Sequence, residues 1–293
     1  MDNPLSRLAP QLFGEYPKPF VDLIDNLYLS PDQDIKEVKG ILWKAYEFGN
    51  HYHEGQKRLS GKPYFSHCVA VANTLASWKM DVTTIIAGLL HDTIEDTDAT
   101  LEEVTAVFGD DLGHLVDGLT KISGINYSSR KEKQAGNFMK MLLSVAQDLR
   151  VVIIKFADRL HNMETIKHMS RIKRHRIAIE TRDIYVPLAH RLGMSSVKSQ
   201  LEDLVFSVLN PTGYKKMESS IKSSKKQREK FIKRVIEPVK NELEKYDIIP
   251  QVYGRAKSYS SIYGKMMTRD KRFDEIYDLY AIRIIVEKIE HCY

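Results

Sequence analysis

The sequence predicts a mainly α-helical protein that ends in a short α/β segment. Three observations carry this. Apolar residues recur at helical spacing through most of the first 210 positions. Two apolar runs, Ile85–Leu90 and Val151–Ala157, lead directly into clusters of His, Asp, Asn and Glu. Only the final stretch holds the short β-branched runs that suit strands, Ile248–Tyr253 and Ala281–Val286.

The chain of 293 residues is long enough for two domains and a real core. At 43% apolar and 28% charged it has the composition of an ordinary globular protein. No stretch approaches ~18 continuous apolar residues, which argues against a membrane span. Met1 to Phe13 lacks the basic-then-apolar pattern of a signal peptide. The two cysteines, Cys68 and Cys292, have no metal-ligand spacing to each other and read as reduced thiols, which points to the cytoplasm. A net charge of +5 favours polyanionic partners without choosing among them.

In chain order, Phe20, Leu23, Ile24 and Leu27, then Ile41, Ala45 and Phe48, give an opening set of helices. Gly55–Tyr64 is a Gly- and Pro-punctuated loop able to present Arg58 to a ligand, although a solvated turn explains the segment equally. Ser66–Met80 reads as a helix with Val69, Val71, Ala72, Leu75 and Trp78 inward, and Asp81 as the N-cap of the next. That next helix ends at His91-Asp92-Thr93-Ile94-Glu95-Asp96-Thr97. The two form a hairpin of about eleven residues out and about nine back, and at ~1.5 Å per residue these nearly cancel. His67 therefore returns to the same end as His91 and becomes a credible ligand beside His91 and Asp92. Glu95 and Asp96 follow one turn later.

Residues 101–150 continue helical, with a polar interruption from Gly124 to Gln134 that includes Ser128, Ser129, Arg130 and Lys131. Val151–Ala157 drives a buried helix toward Asp158, Asn162 and Thr165, which share one face. Polar groups so placed either bind something or bond to one another. Tyr185, Leu188, Leu192, Leu201, Leu204 and Val205 are core candidates of the helices over 171–210. Asn210-Pro211-Thr212-Gly213 marks the domain boundary, giving 1–210 and 211–293. A basic helix over Lys215–Lys245 follows, with Lys222, Lys225, Lys226, Arg228, Lys230, Lys233 and Arg234; a solvated face is its ordinary explanation and a polyphosphate or RNA patch the other. A helix with Ser261, Tyr263, Lys265 and Met266 separates the two strands, and the second strand is apolar enough for a sheet covered on both faces. Two strands cannot make such a sheet stable alone, so this domain reads as cut short.

Laid out in this way, the chain resembles the RelA/SpoT homologues, the bifunctional synthetase/hydrolases of the alarmone (p)ppGpp, over essentially its full length. The motifs are Gly55-Gln56…Arg58…Ser60-Gly61…Pro63-Tyr64…His67, HDTIEDT, Val116–Lys121, Ala157–Met163, Pro187–Gly193 and Gly254–Lys257. The resemblance implies an all-helical HD-type hydrolase domain followed by an incomplete α/β synthetase domain. It places Mn²⁺ on His67, His91, Asp92 and Asp158, and water activation and proton handling on Glu95 and Asp96. Arg58 and Ser60 fall in the loop that packs against guanine, and Asn162 and Thr165 where the nucleoside is held. In the synthetase part Arg255, Lys257, Ser261 and Lys265 match residues that hold ATP, and Asp278 matches the Mg²⁺-binding aspartate. Leu59 stands where many hydrolases carry a basic or small polar residue, and Cys68 replaces a proline common after the histidine.

The implied activity is hydrolysis of the 3′-pyrophosphate of (p)ppGpp to GDP or GTP and pyrophosphate in the stringent response. Synthesis is expected to be absent, and neither membrane nor ribosome contact is expected. An HD phosphohydrolase of another nucleotide would keep the four ligands without the Arg58-Ser60-Gly61 loop. A non-catalytic RNA- or ribosome-binding module would act through the basic helix.

Overall fold

The computed structural model describes residues 16–121, 148–221 and 225–292, without the side chains of Lys121, residues 225–229 and Arg255. The readings made on Met1–Phe13, the 124–134 interruption, Lys222, and the side chains of Lys225, Lys226, Arg228 and Arg255 lie outside the described residues. The chain divides into two compact units, Met1–Arg171 and Ile172–Tyr293. None of the described helices is long and apolar enough to cross a membrane.

The first unit is helical: α1 (Lys18–Asp25), α2 (Ile35–Tyr52), α3 (Phe65–Ser77), α4 (Val82–Leu90), the short α5 (Thr93–Asp96), α6 (Leu101–Phe108), α7 (Asp110–Lys121) and α8 (Leu149–Glu164). Local chemistry sets the ends. Asp34 caps α2 through Lys36 N–H, Asp81 accepts Thr84 N–H at 2.9 Å to start α4, and Asp148 accepts Arg150 N–H at 2.8 Å to start α8. Thr100 and Glu103 form a reciprocal capping box on α6.

α3 lies along both α4 and α8. Leu42, Leu75, Ile85, Leu89, Leu90, Leu115, Leu119 and Ile154, from α2, α3, α4, α7 and α8, are fully enclosed in one core. Each such side chain contributes ~1.5–3 kcal/mol by leaving water. The α3–α4 approach depends on Gly88, where an added Cβ would stand 2.4 Å from Leu75 Cδ1. In α2 the buried stripe is Val38, Leu42, Ala45 and Gly49, whereas Ile41, expected in the core, is exposed. Ala45 is buried and Phe48 packs against the core as expected, and Leu42 takes the buried place expected of Ile41.

The second unit begins with α9 (Arg171–Glu180), which widens into a π turn over Thr181–Tyr185 before α10 (Val186–Arg191). Pro187 supplies the reason: it has no N–H to give the carbonyl four residues back, so the ladder re-registers there. α11 (Ser195–Leu209) buries Val197, Leu201 and Val205. Asn210 then accepts Gly213 N–H and, with Pro211 in the first turn, starts α12 (Pro211–Ser220).

The expected continuous basic helix is broken. α12 ends at Ser220, Ile221 beyond it is extended and buried with Met217, Ile262, Met266 and Ile276, and α13 covers Lys225–Glu244. Ser219 and Ser220 are poor helix formers and favour this helix end. Lys230, Lys233 and Arg234 are exposed, as on a solvated face.

Strand β1 (Gln251–Ala256) pairs antiparallel with β2 (Tyr280–Ile285), Val252 opposite Ile284 and Gly254 opposite Ile282, with α14 (Tyr259–Arg269) between them. α13 packs on β1, and a Cβ at Gly254 would meet Ile232 Cγ2 at 2.1 Å. Two expectations are corrected here. β1 starts three residues later than expected, after Pro250, which has no ladder donor. β2 is exposed along its whole length, not covered on both faces, because among the described residues the sheet has two strands.

Candidate active site

The α3–α4 hairpin closes as the residue count requires. His67 stands in the first turn of α3, His91 caps the C-terminus of α4, and Asp92 precedes α5. Asp158 arrives from α8, which packs on α3. Asp92 Oδ2 is 3.1 Å from His91 Nε2 and 3.6 Å from His67 Nε2; Asp158 Oδ1 is 3.2 Å from His67 Nε2 and 3.9 Å from His91 Nε2. Both histidines are fully buried, and the carboxylates are partly exposed, Asp92 at 15% and Asp158 at 18%.

Despite those separations, neither Nε2 makes a hydrogen bond. The donor atoms of His67, His91 and Asp158 lie within 4.8 Å of one another, and Asp92 Oδ2 stands beside both histidines. Buried, unpartnered imidazole nitrogens beside two carboxylates could hold a divalent cation. The far side of each ring is also arranged for this. His91 Nδ1 lies 2.9 Å from the Gly88 carbonyl, which can only accept, so the hydrogen sits on Nδ1 and the Nε2 lone pair faces inward. His67 Nδ1 lies 2.6 Å from His161 Nδ1, with the rings stacked.

The electrostatics point the same way. Burial would push the Asp92 carboxyl up, but His91 and then His67 hold it far below the ordinary carboxylate range. Asp158, also opposed by burial, is held down to about 2 by the neighbouring His67 imidazole and then by His91. Burial holds His67 below its usual value; at His91 the Asp92 carboxylate outweighs burial and raises it. The centre is built to hold positive charge.

Asp96 is tied to this centre by a residue the sequence reading gave no role. Tyr64 Oη lies 2.9 Å from Asp92 Oδ2 and 2.8 Å from Asp96 Oδ2. Burial, and after it the two carboxylates, keep the phenol far above its ordinary range, so it stays a donor. Gln56 Nε2 donates to the Asp96 carbonyl at 2.8 Å while its Oε1 meets His53 Nδ1, and His53 stacks on Tyr64. Glu95 occupies the exposed face of the same short helix.

The 55–64 segment is an ordered loop, closed by Arg58 N–H to Lys62 O and Tyr64 N–H to Gln56 O, with Gly61 at φ +82° in its turn. It lays Arg58 over the Tyr64 ring and gives Arg58 Nη2 to Asn162 Oδ1 at 2.8 Å, with Thr165 Oγ1 at 3.5 Å. Asn162 in turn bonds Asp158, and Thr165 Oγ1 donates to the His161 carbonyl. The polar face of α8 is thus internally bonded as well as turned to the site. Ser60 and Leu59 are exposed at the loop tip.

Sequence reading also passed over His161, for want of a spacing signal, and Lys155, counted within an apolar run; Lys155 is buried and its charge helps lower Asp92.

In the second unit Lys257 and Lys265 both donate to Asp278 Oδ2, at 2.6 and 2.7 Å, and hold that carboxyl well down. Ser261 lies in the first turn of α14, with its N–H and hydroxyl on the Ser258 cap.

Residues 45–195 match the family described as HD domain, and residues 254–293 match the region found in RelA / SpoT proteins. With its helical histidine–aspartate centre, the chain belongs to the HD-domain family, in its RelA/SpoT branch. More particularly, it is 46% identical over 266 residues to a Myxococcus xanthus protein named GTP pyrophosphokinase, covering 90% of this chain and 35% of that protein. It is 42% identical over 263 residues to the bifunctional (p)ppGpp synthase/hydrolase SpoT of Escherichia coli K12, covering 90% and 37%. A solved structure described as a metazoan ortholog of SpoT that hydrolyzes ppGpp is 23% identical, covering 61% of this chain and 96% of that one, with a TM-score of 0.48. The chain spans about a third of the length of the curated relatives it matches.

Proposed function

We propose that this chain hydrolyses the 3′-pyrophosphate of (p)ppGpp, giving pyrophosphate with GDP from guanosine 3′,5′-bis(diphosphate) or GTP from its 5′-triphosphate form. The observation that carries this is the convergence of His67, His91, Asp92 and Asp158 on one space with Arg58 and Asn162 directly beside it. The substrate is taken from the names of the relatives.

His67, His91, Asp92 and Asp158 would hold the cation, and a mixed imidazole and carboxylate set of this kind suits Mn²⁺. Such an ion supplies Lewis-acid polarisation of a phosphoryl oxygen and a water acidic enough to react at neutral pH.

The remaining work falls to the chain. Arg58, with one face on Tyr64 and one edge on Asn162, is held as a flat cation against which a guanine can stack. Ser60 and Thr165 line the same approach. Water adds to the phosphorus bonded to O3′, the P–O3′ bond breaks, and O3′ takes up a proton. Asp96, steered by Tyr64, and Glu95 on the same turn share the removal of the water proton and its delivery to O3′. The buried and exposed free cysteines suit a reducing compartment, and we place the reaction in the cytoplasm.

Release of pyrophosphate from ppGpp with Mn²⁺ tests the reading; no release, or equal turnover of unrelated nucleotides, would overturn it. A second reading attaches to residues 254–293, where Lys257 and Lys265 converge on Asp278. Arg255, Lys257, Ser261 and Lys265 would hold ATP and Asp278 would hold Mg²⁺ in a pyrophosphokinase-type site. Formation of ppGpp from ATP and GDP by the same preparation tests that reading, against the expectation that these residues do not synthesise it.

A further inference from the structure

The centre offers a second set of donors. Cys68 follows His67 on α3, and its side chain is completely enclosed. Its sulfur, a ring nitrogen of His91 and a carboxylate oxygen of Asp92 all lie within 4.8 Å of one another, as do the donor atoms of His67, His91 and Asp158. The Cys68 set shares His91 and Asp92 with the four residues proposed to hold manganese, and His91 Nε2 is buried without a hydrogen-bond partner. Ligand atoms about a tetrahedral ion with bonds of ~2.0–2.3 Å stand ~3.5 Å apart, so closing the Cys68 set needs only a small inward shift of side chains.

The sets differ in softness. Two imidazoles and a carboxylate suit a hard or borderline ion, whereas a thiolate selects zinc, cobalt or cadmium over manganese. Because His91 belongs to both, one ion excludes the other.

We propose that Cys68 makes this centre a trap for thiophilic divalent cations, its sulfur joining His91 and Asp92 as a ligand and displacing manganese from the shared site. The Cys68 S–H bond breaks, the S–metal bond forms, a water leaves the ion, and the proton goes to solvent; nothing is oxidised or reduced. The inference rests on the metal-binding part of the proposed function and not on the substrate.

The test is spectroscopic and needs no turnover. Cobalt(II) is titrated into the chain carrying Cys292→Ser, which removes the exposed thiol. The expected result is a near-ultraviolet thiolate-to-cobalt charge-transfer band that saturates at one equivalent and disappears in Cys68→Ala, in Cys68→Ser and in His91→Ala. Zinc affinity, measured by competition, should fall by about tenfold or more in the Cys68 variants, while manganese affinity stays within a factor of about two because its donor set lacks sulfur.

Retained manganese binding shows that the Cys68 variants are folded; if both fail to fold, the band in the parent and its loss in His91→Ala decide alone. Stoichiometric cobalt binding without the band, a band that survives loss of Cys68, or no cobalt binding would each overturn the inference. None of these outcomes depends on whether ppGpp is the substrate, so the two readings fail separately.

Discussion

Replacing Tyr64 by phenylalanine removes one oxygen and keeps the ring that stacks on His53 and lies under Arg58. That oxygen has one hydrogen and two carboxylate neighbours, Asp92 Oδ2 at 2.9 Å and Asp96 Oδ2 at 2.8 Å. A hydrogen bond to a charged acceptor contributes ~1.5–3 kcal/mol. At ~1.36 kcal/mol per decade that sets a ceiling of roughly 10- to 150-fold on the rate. Water can reach exposed Asp96 and replace part of the loss, so the expected fall in kcat is about tenfold, with KM nearly unchanged.

The assay is pyrophosphate release from ppGpp at saturating Mn²⁺, with bound metal measured on the same samples. If Tyr64 acts through Asp96, its replacement should cost much less in an Asp96→Asn background, because the two groups form one unit. A Tyr64→Phe enzyme with full metal and kcat within about twofold of the parent would refute the reasoning, since a fall of about tenfold is expected after water has replaced part of the bond. So would an equal loss in both backgrounds.

Four further outcomes are expected. Glu95→Gln and Asp96→Asn should keep their metal and most substrate affinity while turnover falls by about 10²–10⁴-fold; near-normal turnover in both would remove them from the mechanism. Asp92→Ala and Asp158→Ala should each lose stoichiometric Mn²⁺ by metal analysis, and retention would show the ligand set to be wrong. Arg150 donates to Asp111 and Asp148 and holds both carboxyls below their unfolded values, against burial in the case of Asp148. That stabilisation is complete above ~pH 4 and is lost as pH falls through the folded values, so the gap between parent and Arg150→Gln in urea unfolding, about 1 kcal/mol near neutrality for so exposed a cluster, should close on acidification. Gly88→Ala should cost ~1–3 kcal/mol by overpacking α3 against α4, read as a lowered Tm.

Much of this molecule was legible in the chain because it is locally determined. Asp81, read as an N-cap, caps the helix that follows it through a bond spanning three residues. The return of His67 to His91 followed from helix rise alone, and the apolar run before Asp158 marked a buried helix. Tertiary structure decided the rest. Tyr64 reaches Asp96 across 32 residues and Arg58 reaches Asn162 across 104, and no spacing rule relates such positions. Cys68 reads as an inert buried thiol until α4 brings His91 and Asp92 beside it. β2 has the composition of a central strand yet lies exposed, since whether an apolar face is covered depends on what packs over it. Periodicity and caps act within a few residues and so are written in the order of the chain, whereas contacts at long separation exist only once the core has set the distance between helices.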